Sequence, residues 1–312
     1  MNPSNEKAQN KSQRKLWKTI KKHKNIYIML IPIVAFYVIF CYIPIMGNVI
    51  AFQDYKITRG FLKSDFVGIK NFVNFLNDVY FWRLMRNTIT INLYYLVLGF
   101  PIPIILALLL NEVRNQAFKK SVQTITYMPH FISAVVVASM TLDFVSTGGT
   151  INKVITALGF DAIPFMSTPK YFYSVYTISG IWQSMGWSSI IYMSALASVD
   201  QQLYEAAKVD GAGRWKQTIH VTLPGILPTI IILFIMQIGS MLSVGYEKII
   251  LLYNPAIYET ADVISTYIYR RGILGAEYGY SAAVSLFNAG INILLLVTSN
   301  YLSKKFTETS LF

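Results

Sequence analysis

The residue types that most often perform catalytic or metal chemistry are few and far apart in this sequence. The three histidines, His23, His130 and His220, lie in different segments and lack the His-Glu-x-x-His spacing of a zinc site. The single cysteine, Cys41, leaves no partner for an intramolecular disulfide or a thiolate metal cluster. A Gly-x-Ser-x-Gly nucleophile turn is also absent. We therefore predict no catalytic residue, no metal site and no enzymatic activity for this chain.

The apolar content of the chain predicts a protein that lies in a membrane. Apolar residues make up 54% of the 312 residues and charged residues only 13%. Six stretches lack Asp, Glu, Lys and Arg and exceed the roughly 20 helical residues that cross a hydrocarbon core. Their continuous apolar composition favours helices over the alternating strands of a barrel. We predict an all-α integral membrane protein with transmembrane helices over residues 26–53, 87–111, 121–142, 171–199, 217–246 and 281–303.

The distribution of positive charge predicts how these helices are oriented. Eight Lys and Arg side chains lie between Lys7 and Lys24, directly before the first apolar stretch. The positive-inside rule places such a cluster in the cytoplasm, and six spans return the other end of the chain to the same side. We predict cytoplasmic tails over residues 1–25 and 304–312, around a membrane domain of residues 26–303 in a bacterial-type cell membrane. The net charge is +12, and we expect the basic cluster to contact anionic lipid headgroups rather than nucleic acid.

Polar and aromatic side chains recur within the apolar stretches at helical spacing. Polar groups in a lipid-spanning helix should face protein or water, so their spacing indicates candidate faces for a transport pathway. The candidate pathway residues are Asn92, Tyr94, Gln183, Ser184, Trp187, Gln237, Ser240, Asn288 and Asn292. The same stripes also hold helices together, so channel lining and helix packing remain equal alternatives for each of them.

One predicted cytoplasmic loop, residues 200–224, has the composition of a compact docking element. Its first part contains good helix formers, Asp210 and Gly211 form a stop signal, and a helix can restart at Arg214. Small side chains let another protein approach closely, and carboxylates can anchor it. The residues concerned are Glu205, Ala206, Ala207, Asp210, Gly211 and Ala212. We predict a helix, turn, helix element that transmits force without chemistry; the alternative is a tight solvated loop.

The full spacing of this loop, Glu-Ala-Ala, then Asp-Gly-Ala, then Leu223-Pro224, strongly resembles the cytoplasmic motif of binding-protein-dependent ABC importer permeases. These are type I importers of the maltose-permease-like superfamily. Phe66-Val67-Gly68 and Gly180-Ile181-Trp182-Gln183 extend the resemblance to other parts of the chain. The segments from Val244 to Pro255 and from Glu259 to Tyr267 are similar to the branch that handles polysaccharides and complex oligosaccharides.

The resemblance implies a type I permease fold in which the loop docks as a coupling helix into an ATP-binding subunit. In that arrangement Glu205 fixes the docking geometry, the small residues allow a close fit, and Pro224 starts the following helix with a preset φ. The implied partners are a second homologous permease in a heterodimer, two ATP-binding subunits, and an extracytoplasmic solute-binding protein that delivers a glycan. The mixture of aromatic rings, amides and hydroxyls in the candidate pathway suits sugars.

The energy source is expected to lie on partner subunits. The chain contains neither a Gly-x-x-x-x-Gly-Lys-Ser/Thr phosphate loop nor a Leu-Ser-Gly-Gly-Gln signature, so ATP and Mg²⁺ would bind the partners and this chain would bind no cofactor. A secondary transporter is a weaker alternative, because the span centres lack the ionisable groups that such carriers usually use. An ABC permease for peptides or amino acids remains a further alternative.

Overall fold

A computed structural model describes residues 22–307 and 309–312 of the chain. Most of the predicted basic tail, residues 1–25, lies outside this described part. Most of the described residues are helical, which confirms the predicted all-α class. The strands in this described part form one short antiparallel pair, β1 (Gln53–Asp54) with β2 (Asp65–Phe66).

The helices follow one another with short connections. The first half of the chain forms α1 (Lys24–Tyr37), α2 (Ile43–Met46), α3 (Gly60–Lys63), α4 (Lys70–Leu76), α5 (Phe81–Tyr94), α6 (Pro101–Glu112), α7 (Gln116–Tyr127), α8 (Ala134–Val145) and α9 (Thr150–Ala157). The second half forms α10 (Phe172–Ala197), α11 (Gln201–Val209), α12 (Arg214–Gln217), α13 (Leu223–Gly239), α14 (Tyr246–Leu252), α15 (Tyr258–Ala261), α16 (Ile264–Ile268) and α17 (Tyr278–Thr307). Short 3-10 or π segments join several of these at Val38–Tyr42, Gly47–Phe52, Tyr95–Gly99, Met128–Phe131, Phe165–Ser167, Pro169–Tyr171, Thr218–Thr222, Pro255–Ile257 and Tyr269–Leu274.

Five helical stretches are long and apolar enough to cross a membrane. They are Lys24–Phe52, Phe81–Glu112, Ala134–Ala157, Arg214–Gly239 and Tyr278–Thr307. The predicted span at residues 171–199 corresponds to α10, whose 26 residues extend about 39 Å but include six serines, three tyrosines and two glycines. α1 buries none of its residues, so its apolar side chains face outward all round the helix.

The predicted span at residues 121–142 is not one helix in the structure. α7 ends at Tyr127, a 3-10 turn follows, and α8 begins only at Ala134. Pro129 cannot donate a backbone hydrogen bond, and Ile132 and Ser133 are extended. The Ser133 hydroxyl caps α8 by accepting from the Val136 N–H at 3.4 Å. Apolar composition alone does not reveal such a break, because the segment lacks charged residues on both sides of it.

Pro224 lies in the first turn of α13, as expected, but α13 is not the start of the helical rod. The helical rod begins ten residues earlier, at Arg214 after the extended Gly213, and continues to Gly239. A π-helical turn at Thr218–Thr222 precedes the proline. Such a turn shifts the hydrogen-bond register, which lets the chain pass a residue that lacks an N–H. Pro224 therefore lies within a continuous rod.

α10 is the central packing element of the described bundle, since it contacts α5, α6, α7, α8 and α13. Its closest approach is at Gly186, where a Cβ atom would lie 2.1 Å from the carbonyl oxygen of Thr126. Only a residue without a side chain permits this separation. The aromatic core at Phe172 and the buried Tyr192 pack on either side of this contact along the same helix.

Candidate functional site

Two adjoining chambers, which we call the central groove, lie between α10, the Tyr95–Gly99 segment and the end of α13. The larger chamber has a volume of about 420 Å³ and the smaller one about 280 Å³. Tyr95 and Gln237 line both chambers. Combined dimensions of this order suit a small ligand or part of an extended one.

Five of the nine candidate pathway residues line the central groove. Asn92, Gln183 and Gln237 meet in the smaller chamber, and Trp187, Gln237 and Ser240 line the larger one. These five residues come from three separate segments of the chain, and the fold brings them together around the central groove. Their role in transport stays a prediction.

Hydrogen bonds and stacking fix three of these side chains. Gln183 donates to the carbonyl of Ile132 at 3.1 Å, which satisfies an exposed backbone group at the break between α7 and α8. Asn92 donates to the Thr88 carbonyl one turn earlier at 3.0 Å. The indole of Trp187 stacks on His130, with ring centroids 4.6 Å apart and the planes 1° from parallel. These contacts hold the three side chains in place in the groove wall.

The other four candidates lie outside the groove lining. Ser184 pairs with the Tyr95 hydroxyl at 3.0 Å, and Tyr94 packs on Tyr173 with ring centroids 5.8 Å apart. Asn292 accepts from the Leu242 N–H at 2.9 Å, so it holds the turn after α13, as the helix-packing alternative describes. The Asn288 side-chain oxygen is buried and has no hydrogen-bond donor within the described residues.

Lys248 is a groove residue that the sequence analysis missed. It lies on α14, yet its side chain reaches the smaller chamber, where Nζ donates to the Tyr176 carbonyl at 3.3 Å and lies 5.0 Å from the centre of the Tyr176 ring. Burial lowers the pKa of Lys248 to about 8, so the ammonium form still predominates near neutral pH. The sequence gives no sign that the chain turns back after Gly239 and returns this charge to α10.

The loop at residues 200–224 forms the predicted helix, turn, helix element. The Asp200 carboxylate caps α11 by accepting from the Gln202 N–H at 2.9 Å. α11 ends at Val209, and Gly211 has a φ of +74°, which favours glycine. The Ala212 N–H then donates to the Ala207 carbonyl at 2.8 Å, which closes the turn.

Two contacts brace the arms of this element against each other. The Tyr204 hydroxyl on α11 and the Thr222 hydroxyl on the rod are 3.0 Å apart, and the Gln217 amide donates to the Ala212 carbonyl at 2.6 Å. These braces join both arms to the rod that continues into α13. The turn and the groove wall at Gln237 are therefore joined by one continuous rod.

The outer surface of the element is open to a partner. Glu205, Ala206, Asp210 and Gly211 are exposed, whereas Ala207 and Ala212 are partly covered. Two large apolar side chains beside them, Val209 and Trp215, are 89% and 76% exposed. Exposed apolar surface next to small residues is typical of a protein interaction site.

Comparison with known proteins gives the family. Residues 99–308 match the family model described as binding-protein-dependent transport system inner membrane component. The chain belongs to this family. It is accordingly an inner-membrane permease component of an ABC transport system, as the resemblance in the loop indicated.

Individual relatives match nearly the whole permease. It is 42% identical over 303 residues to the polygalacturonan/rhamnogalacturonan transport system permease protein YteP of Bacillus subtilis (strain 168). The matched region covers 97% of this chain and 94% of YteP. It is 43% identical over 294 residues to protein LplB of the same organism, with 94% of this chain and 92% of LplB covered.

A solved structure has the same fold. The permease matches a chain in the crystal structure of a bacterial alginate ABC transporter in complex with an alginate pentasaccharide-bound periplasmic protein. The TM-score is 0.87 and the sequence identity 42%, with 95% of this permease and 99% of that chain covered. The predicted type I importer permease fold is thereby confirmed.

Proposed function

We propose that this permease forms the translocation pathway for an oligosaccharide or polysaccharide in an ATP-driven importer. The observation that carries the proposal is its similarity, over almost its full length, to a polygalacturonan/rhamnogalacturonan permease. The central groove supports the same assignment. Its amides at Asn92, Gln183 and Gln237 can pair with sugar hydroxyls, while Tyr95 and Trp187 offer rings that cover sugar C–H surfaces.

The membrane arrangement in this proposal has six spans, with both chain ends in the cytoplasm. Five spans correspond to the long apolar stretches, and α10 supplies the sixth. α10 is polar for a spanning helix, but polar side chains are tolerated where a helix faces protein or a water-filled cavity. Gln183 and Trp187 on α10 face the groove, which fits such a position.

The energy in this proposal comes from two ATP-binding subunits, which also hold the ATP and Mg²⁺. Each would clamp a coupling element, here the exposed turn at Asp210 and Gly211, and on the other side the equivalent turn of a second, homologous permease. The brace between Tyr204 and Thr222 would carry that movement into α13. An extracytoplasmic solute-binding protein would deliver the glycan, as in the alginate transporter that shares this fold.

Copurification and transport together test the proposal. The tagged permease is purified from its native membrane, its bound subunits are identified, and the assembly is reconstituted into proteoliposomes with the solute-binding protein. We expect ATP-dependent uptake of polygalacturonan-derived oligosaccharides and a coeluting ATP-binding subunit. Uptake that proceeds without ATP, or an active assembly that lacks an ATP-binding subunit, would contradict it.

A further inference from the structure

The turn after α13 positions the charged side chain of Lys248 at the central groove. Residues between Gly239 and Tyr246 reverse the chain, and Asn292 on α17 holds this reversal through the Leu242 N–H and the Ser243 hydroxyl, both at 2.9 Å. α14 then packs against α8. Lys248 is thus fixed on a helix and directed at α10.

The ammonium group of Lys248 lies beside Gly180 in the smaller chamber. A Cβ atom on Gly180 would lie 3.5 Å from Nζ of Lys248, which is an ordinary van der Waals contact. Among the described residues that line the two chambers, Lys248 alone carries a formal charge. Its neighbours there are the hydroxyl and amide groups of Tyr95, Gln183 and Gln237.

The protein satisfies this cation only in part. An ammonium group has three donors, and in the described chain one of them is used, by the Tyr176 carbonyl at 3.3 Å. Within residues 22–307 and 309–312, no carboxylate lies within ion-pair distance of Lys248. A half-buried cation without an anion is unfavourable, and a bound anion removes that cost.

We propose that Lys248 binds the carboxylate of an acidic glycan in the smaller chamber of the central groove. Asn92, Gln183 and Gln237 surround the same space and would pair with the hydroxyls of that sugar ring. This inference rests on the proposed function and deepens it, because it assigns a residue that recognises the uronate units of the glycan.

A single lysine suits passage as well as recognition. An ammonium is a point charge that does not impose the bidentate geometry of a guanidinium. A polyuronate carries one carboxylate on each ring, so the contact can pass from one ring to the next as the glycan advances. A transport site must bind strongly enough to admit its substrate and weakly enough to release it.

The test uses two forms of one glycan. Proteoliposomes that contain the complete transporter and its binding protein are supplied with a galacturonate trisaccharide or with its methyl ester, which has the same rings without the charges. We expect uptake of the acid to exceed that of the ester. In Lys248→Met the acid loses about tenfold in uptake while the ester changes little, and Lys248→Arg retains part of the preference.

Lys170→Met is the matched control. Lys170 also lies over a tyrosine ring, 4.7 Å from the centre of Tyr171, but it is exposed and outside the groove lining. This variant should transport both forms like the unmodified protein. ATP hydrolysis and subunit copurification are measured for every variant, which identifies one that fails to assemble.

The outcomes separate this inference from the proposed function. If Lys248→Met assembles and keeps the full preference for the acid, the carboxylate site is overturned while glycan import stands. If Lys248→Met loses both forms equally, the residue supports the fold rather than recognition, and the inference fails again. If the unmodified transporter imports neither form but imports a neutral glycan, only this inference is overturned. If it imports a solute that is not a glycan, the proposed function itself is overturned.

Discussion

Arg83 donates to the buried carboxylate of Asp262 at 2.7 Å, which joins the start of α5 to the segment before α16 across 179 positions of the sequence. Arg270 binds the same carboxylate through both Nη atoms, at 3.0 and 2.9 Å. Asn87 donates to the Asp262 main-chain carbonyl at 2.8 Å. Two guanidinium groups thus share one fully buried carboxylate. The carboxylate fixes α5 relative to α16 and the segment that follows α16.

Asp262→Ala should strongly destabilise the protein. The change leaves two cations without their anion, and breaking a buried ion pair by removing one partner typically costs about 3–5 kcal/mol. Asp65→Ala is the control, because Asp65 pairs with Arg59 at the surface, where the two side chains are 71% and 50% exposed. Surface pairs contribute at most about 1 kcal/mol. Thermal unfolding in detergent measures the stability of both variants. An equal loss of stability in the two would contradict a larger contribution from the buried carboxylate.

Gly186→Ala should disrupt the packing of α10 on α7. The added methyl group would meet the Thr126 carbonyl at 2.1 Å, and backbone atoms must shift to relieve that clash. Overpacking typically costs about 1–3 kcal/mol. Gly290→Ala is the matched control on α17, where a Cβ would have no neighbour within 4 Å and alanine is the better helix former. Unfolding temperatures should fall for the first variant only; a similar value for both would contradict the close contact.

Much of this architecture is predictable from sequence, because long apolar runs and the Asp210-Gly211 stop act locally. The break at Pro129 was missed, since a proline within an apolar run ends one helix without any change in composition. Lys248 was missed because its place in the groove depends on a chain reversal that Asn292 holds. Asn292 contacts Ser243 there, and the two residues are 49 positions apart in the sequence. Asp262 lies 179 positions after Arg83, and only tertiary packing brings the two side chains together.

Gly211→Ala should lower coupling between ATP hydrolysis and transport. Gly211 has a φ of +74°, and a side chain there costs about 1–2 kcal/mol of backbone strain. Gly213→Ala is the control, because Gly213 has a φ of −68° and neither added methyl group would meet another atom within 4 Å. The ratio of glycan imported to ATP hydrolysed should fall in the first variant and stay near the unmodified value in the second. Normal coupling in Gly211→Ala would argue against a rigid turn as the transmitting element.

Asp78 should make stability depend on acid pH. Burial raises the pKa of its carboxyl, but hydrogen bonds from the Tyr267 hydroxyl, the Tyr80 N–H and the Tyr280 hydroxyl, together with the charge of Arg271, outweigh burial and hold the pKa below its ordinary value. The ionised form is therefore stabilised by folding.

This contribution is complete above the unfolded pKa of about 3.9 and is lost as pH falls through the lower folded value. In Asp78→Asn the titrating group is gone, so the unfolding temperature of the unmodified protein should fall more steeply below about pH 4 than that of the variant. Tyr267→Phe, which removes one donor but keeps the ring, should give an intermediate slope. A carboxylate that folding keeps ionised must lose its contribution to the free energy of unfolding when it is protonated. If the unfolding temperatures of Asp78→Asn and the unmodified protein change in parallel between about pH 3 and 6, the hydroxyls do not stabilise the carboxylate.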